Sequence, residues 1–182
     1  SYDKAKIYWT DTYFMSFKRL VFKPLLTLTF ILLSASQANA TVTVGLAKFD
    51  QLYKNQLGQT LPCSTQPAYR HKVCSSLLKN EGNAPFVLQH GDKTQKVFVL
   101  FHGLSDSPFF LTTIAQSLYD QGYNVLVALL PGHGKKEADA DMQDPELAAR
   151  WHDNVQNMIG LAPEFGTDLY IGGFSTGGAL AA

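Results

Sequence analysis

Asp168-Leu-Tyr-Ile-Gly-Gly-Phe-Ser-Thr-Gly-Gly-Ala-Leu-Ala181 is the stretch on which the reading of the whole chain turns. Its first four residues read as a buried strand, and its last as the start of a helix built from small side chains. Between them lies Gly173-Phe-Ser-Thr-Gly177, a G-x-S-x-G arrangement at the point where a strand turns sharply into a helix. A serine on such a turn sits in a backbone region that ordinary residues avoid. Side chains at 173 or 177 would collide with neighbouring backbone across the turn, which explains the two glycines. The first N–H groups of the following helix have no partner inside it, and they lie at the positive end of its dipole. Both features favour a developing oxyanion beside Ser175, the candidate nucleophile. The competing reading is a tight turn that only packs closely or binds a phosphate. The stretch lacks the lysine of a phosphate loop and the spacing of a dinucleotide fingerprint.

Upstream, the same kind of element recurs. Phe86–His90, Lys96–Phe101 and Tyr123–Leu129 read as strands, the last two as nearly continuous apolar runs of the kind buried on both faces of a sheet. Pro108–Gln121 reads as a helix, with Ser107 or Asp106 as its cap and Gly122 as its stop. Pro145–Leu161 reads as another, with Leu147, Trp151, Val155, Met158 and Ile159 near one face. Residues 135–145 form a polar surface excursion. Thr41 to Asn80 is a loop-rich lead-in with short helices expected over Leu46–Leu57 and Val73–Leu78. Alternating strands and helices predict an α/β fold with a mostly parallel sheet and crossover helices. Loops 102–110, 130–134 and 172–178 all follow strands, so they are expected at one edge, where such sheets bind ligands.

Three segments, Val97-Phe-Val-Leu-Phe-His-Gly-Leu104, Leu130-Pro-Gly-His-Gly134 and Gly173-Phe-Ser-Thr-Gly177, occur in an order and at separations that resemble the α/β-hydrolase superfamily. The likeness is to its bacterial esterase, monoacylglycerol lipase and serine aminopeptidase-like branches, and it spans residues 86–182. It implies a hydrolase that cleaves carboxylic esters, including lipid-like ones, through an acyl-enzyme on Ser175. The backbone N–H groups of Leu104 and Thr176 would hold the oxyanion, and no metal or organic cofactor is called for. Amide or peptide hydrolysis, or acyl transfer, would use the same machinery, and a non-catalytic binding protein on the same fold is a further alternative.

In the resemblance His102 is a structural residue of the His-Gly turn; His133, in a loop near the same edge, is expected to shape the pocket, with a proton carrier as the alternative reading of each. Phe109 and Phe110 read either as core or as the lining of an acyl pocket. The family's acid and histidine follow the serine, whereas His71, His90, His102, His133 and His152 all precede Ser175. The chain is therefore expected to be the N-terminal part of the domain, cut after the elbow and inactive by itself. The strand before the elbow is expected to be a bare apolar edge.

Composition bounds the partners. Apolar residues make up 46% and charged residues 16%, which suits a globular chain. The 15 basic and 15 acidic side chains balance overall. Residues 1–40 nevertheless carry five of the basic and two of the acidic ones, leaving 10 and 13 in residues 41–182. With no basic block after residue 40, a nucleic-acid partner is not expected. Met15, the basic Lys18, Arg19 and Lys23, the uncharged run Leu25–Leu33 and the small residues ending Ala38-Asn-Ala40 have the layout of a secretory signal peptide over residues 15–40. The run is too short for a spanning helix, which needs about 20 apolar residues, so membrane contact is expected only during export to the periplasm or medium. Residues 1–14 fit neither the signal nor the domain over 41–182. Export would favour pairing Cys63 with Cys74, with two free thiols as the alternative.

Overall fold

Val97, Val99 and Phe101 pack into one apolar cluster, while Phe98 and Leu100, the residues between them, pack into another. Val125 and Val127 join the second cluster and Leu126 the first. Such strict alternation is the period of a strand whose two faces are both covered. These residues belong to a computed structural model that describes residues 8–10, 13–21 and 34–182, with side chains from Val42 onward.

In chain order the elements are β1 (Tyr8–Thr10), β2 (Tyr13–Val21), α1 (Ser34–Leu57), β3 (Thr60–Leu61), β4 (Arg70–Lys72), β5 (Cys74–Ser75), β6 (Phe86–Leu88) and β7 (Thr94–Phe101). There follow α2 (Thr112–Asp120), β8 (Asn124–Val127), α3 (Asp139–Met142), α4 (Leu147–Leu161), β9 (Gly166–Phe174) and α5 (Thr176–Ala181). Among the described residues, seven strands form one sheet in the order β1-β2-β9-β7-β8-β6-β4, and β3 pairs with β5 separately.

The sheet is a mixed one, which corrects the expectation of a mostly parallel sheet. β7 runs parallel to both β8 and β9, but β6 is antiparallel to β8, β4 to β6, and β2 to β9. The reason lies in the connections. A parallel return takes a dozen or more residues, and the links from β7 to β8 through α2 and from β8 to β9 through α4 have that length. Residues 89–93 between β6 and β7 are a short turn through Gly91, whose φ is 91°, so β7 must run against β6. Buried Asn124 fixes this end of the sheet. Its amide donates to the carbonyls of Asp92 (2.9 Å) and Phe165 (2.8 Å), and its oxygen accepts from the His90 N–H (2.9 Å).

Two further expectations change. Val73–Leu78 is not helical: Cys74 and Ser75 are extended and pair with Leu61 and Thr60. Val73 and Cys74 are buried there, and the sulfurs of Cys63 and Cys74 stand at bonding distance, 2.09 Å. The edge of β9 is also not bare, because β2 lies along it from Met15 opposite Phe174 to Val21 opposite Asp168. An edge strand's free N–H and C=O groups are satisfied by any such partner. The lead-in helix is longer than expected, Ser34–Leu57 rather than Leu46–Leu57. Of the segment read as a signal, Met15, Lys18 and Arg19 lie in β2 and Ser34–Ala40 in α1, while the apolar run Leu25–Leu33 lies outside the described residues. Among the described residues no helix is long and apolar enough to cross a membrane.

The other helices follow the sequence. α2 begins after a 3-10 turn at Pro108–Leu111 and stops at Gly122, whose φ is 86°. Ser107 occupies the cap position but bonds Asn83 instead of the helix. α4 buries Leu147, Asn154, Val155, Met158 and Leu161, with Trp151 and Ile159 packed at the margin.

Candidate active site

Three parallel strands point the same way, so the residues after Phe101, Val127 and Phe174 meet at one edge of the sheet. After β9 the chain reverses on Ser175, with φ 51° and ψ −117°; among the described residues it is the one non-glycine with positive φ. An outlier of this kind costs on the order of 1–3 kcal/mol and persists only where its surroundings impose it. The surroundings here are backbone. A Cβ on Gly173 would lie within 3.0 Å of the Gly177 carbonyl, and one on Gly177 within 3.0 Å of the carbonyl oxygens of Phe101 and His102. The start of α5 is thus pressed against the end of β7. On the other side of the turn, a Cβ on Gly103 would approach Asp106 and the ring of Phe174 to 3.0 Å or less. The His-Gly turn and the elbow are therefore in direct contact, with Ser175 exposed above them.

The two proposed oxyanion donors flank this contact. Thr176 is the first residue of α5, where an N–H has no acceptor within the helix. Leu104 follows Gly103 and is half-exposed (51%). No hydrogen bond from either N–H to another described residue occurs.

His102 is fully buried, its Nδ1 2.8 Å from the Gly103 carbonyl and its Nε2 3.1 Å from the Leu130 N–H. The contacts assign the tautomer: Nδ1–H donates and Nε2 accepts. Burial pushes its pKa down to about 4, against the Gly103 bond, which favours the charged form, and with a smaller push in the same direction from His133. At neutral pH it is an uncharged strut with both nitrogens engaged. It joins the first loop to the second, Leu130-Pro-Gly-His-Gly134, whose glycines at 132 and 134 have φ of 81° and 67°. His133 is also buried, with Nε2 2.6 Å from the Leu104 carbonyl and Nδ1 3.0 Å from that of Pro131. Pro131 in turn accepts from the Trp151 indole at 2.9 Å.

Sequence reasoning did not find what holds this second loop. Tyr53 of α1 takes the Leu129 N–H on its hydroxyl (3.0 Å), and Gln56 donates to the Leu129 carbonyl (2.9 Å). Burial raises the Tyr53 pKa well above the ordinary phenol range, outweighing the hydrogen bonds that lower it. Asn83 bridges the loops, accepting from Ser107 Oγ (2.8 Å) and donating to the Gly134 carbonyl (3.1 Å). Nothing local in the sequence pairs residues so far apart. Beyond the loops, Lys135 and Arg150 both engage Asp141 (2.7 and 3.2 Å), fastening the 135–146 excursion to α4. Burial would raise the Asp141 pKa, but these two cations together hold it below the usual carboxylate value.

Phe109 and Phe110 stand exposed (59% and 65%) on the same loop as Leu104, ring to ring at 5.5 Å. With Ser105, Asp106 and Lys135 they line an open cavity of about 400 Å³. They are not core residues. His71 pairs with Asp50 at 2.5 Å on the far β4 edge, His90 stacks on Tyr119 at the opposite end of the sheet, and His152 is exposed on α4. Among the described residues, the one group of metal-type ligands, Cys63, Cys74 and Glu81, has its two sulfurs bonded to each other.

No family model and no curated protein matches the chain. Among solved structures, one from LipS and LipT, two metagenome-derived lipolytic enzymes, is similar at 24% identity with a TM-score of 0.48. The match takes in 58% of this chain, and the chain spans 40% of the length of that structure.

Proposed function

We propose that this chain carries the nucleophile and oxyanion donors of an α/β-hydrolase-type serine hydrolase that cleaves carboxylic esters. The observation that carries the proposal is the backbone of Ser175, held at φ 51° and ψ −117° by glycine contacts that admit no side chain. Strain confined to one serine, at the strand-to-helix turn where three loops converge, has no structural use that a glycine would not serve better.

In the reaction, Ser175 Oγ attacks the acyl carbonyl carbon and loses its proton to a base. The carbonyl oxygen, now negative, is received by the N–H groups of Leu104 and Thr176, each donor worth about 3–4 kcal/mol of barrier. The C–O bond to the alcohol breaks as the base returns the proton to the leaving oxygen, giving an acyl-enzyme. Water then repeats the sequence in reverse and releases the acid. His102 and His133 have their ring nitrogens committed to backbone groups, and the other histidines lie away from the edge. The base and its acidic partner are therefore assigned to residues other than those described. Export is part of the proposal, supported by the layout of residues 15–40 and by the paired sulfurs; N-terminal sequencing of secreted protein should then begin at Thr41, in which case β2 leaves with the signal and the edge of β9 is open to another strand.

The test is hydrolysis of p-nitrophenyl esters by the full-length protein. Turnover should fall at least 10³-fold in Ser175→Ala. Equal turnover by that variant would remove Ser175 from the mechanism.

A further inference from the structure

We infer that His133 is a positioning residue that sets the oxyanion donor of Leu104; this rests on the reading of Ser175 and Leu104 given above. Leu104 needs such a support. The residue is half in solvent (51%), so packing holds it weakly, and it follows a glycine. Among the described residues, one hydrogen bond reaches Leu104: the 2.6 Å contact of its carbonyl with His133 Nε2. A neutral imidazole has one N–H for two facing carbonyls, that of Leu104 at 2.6 Å and that of Pro131 at 3.0 Å; the proton is assigned to Nε2, because two lone pairs would repel more strongly at the shorter contact. The carbonyl and the N–H of Leu104 belong to adjacent peptide planes on one Cα, so holding the first limits rotation of the second.

His133 is itself immobilised. It is 3% exposed, its ring meets those of His102 (4.9 Å) and Trp151 (5.6 Å), and Asn83 ties the next residue, Gly134, to Ser107 of the oxyanion loop. The Gly132 and Gly134 φ angles of 81° and 67° let the loop turn the imidazole inward. A rigid ring bonded to the carbonyl of a donor residue is a way to fix that donor before the substrate arrives, so that no reorganisation is needed as charge develops.

The test is the rate at which a fluorophosphonate modifies the full-length protein. In that reaction Ser175 Oγ gives its proton to the base as an Oγ–P bond forms, fluoride leaves, and the phosphoryl oxygen occupies the oxyanion site. His133→Ala should slow modification 10- to 100-fold, the penalty typical of a misplaced reacting group. His133→Gln, whose amide can still donate to the Leu104 carbonyl, should recover most of the rate. Tyr53→Phe, which loses the bond to the Leu129 N–H in the same loop but leaves the Leu104 contact, should lower the unfolding midpoint and keep the rate within about threefold. For ester turnover, His133→Ala should lower kcat and leave KM nearly unchanged. If Ala and Gln variants both react like the natural protein, the inference is wrong and Ser175 remains the nucleophile. If Tyr53→Phe slows modification as much as His133→Ala, general loosening of the loop is the cause and the inference is again wrong. If the natural protein is not modified at all, the reading of Ser175 falls and this inference with it.

Discussion

Gly177 and Gly160 show how one substitution has opposite consequences in two settings. A methyl group at 177 would meet the carbonyl oxygens of Phe101 and His102, backbone atoms that cannot rotate away. Gly177→Ala should cost about 2–3 kcal/mol in urea denaturation and abolish reaction at Ser175, since the turn must open to admit it. At Gly160, near the end of α4, a methyl group would have no neighbour within 4 Å, so Gly160→Ala should gain about 0.5–1 kcal/mol. The G-x-S-x-G pattern made the first of these legible in advance, because its spacing only makes sense if 173 and 177 approach backbone. The roles of His102 and His133 were only partly legible. Their motifs pointed to structural duty, but the partners they bond, Leu130 and Leu104, become neighbours only when β7 and β8 lie side by side.

At the scale of elements, the strands and helices from Phe86 onward were readable because their apolar periods are unambiguous. Strand direction was less so: alternation of strand and helix suggests parallel pairing, and the five residues that turn β6 into β7 overrule it locally. The lead-in was hardest to read, since its short strands depend on pairing at a distance and on the Cys63–Cys74 contact. α1 nevertheless reaches the candidate site through Tyr53 and Gln56. Tyr53→Phe removes the acceptor of a buried N–H, that of Leu129, and should lower stability by about 1–3 kcal/mol in urea denaturation. An unchanged midpoint would mean that α1 does not brace the second loop in solution.

For the whole molecule, two clusters of apolar side chains sandwich the sheet, and buried polar groups fix the loops at its edges. The price of that arrangement is acid sensitivity. Folding lowers the His102 pKa from its ordinary value near 6.5 to about 4. As pH falls through that interval the unfolded chain binds a proton that the folded chain does not, so stability is full above about pH 6.5 and falls by about 3 kcal/mol by pH 4. His102→Asn has no such proton to bind. Its deficit relative to the natural protein, measured by urea denaturation at pH 7.5 and again at pH 5, should narrow by about 2 kcal/mol. A constant deficit would show that His102 titrates normally in the folded state. Asp141, which burial would raise but Lys135 and Arg150 hold low, acts in the same direction further into acid: its stabilisation is present above the ordinary carboxylate pKa and is lost only below it.

All of these arrangements converge on one exposed hydroxyl, and mass spectrometry of the fluorophosphonate-treated full-length protein examines it directly. After digestion, the phosphonyl adduct should be found on the peptide containing Ser175 and on no other serine, and it should be absent after prior unfolding in urea, which releases the φ of 51°. An adduct on a different residue, or none on the folded protein, would contradict the assignment of Ser175 as nucleophile.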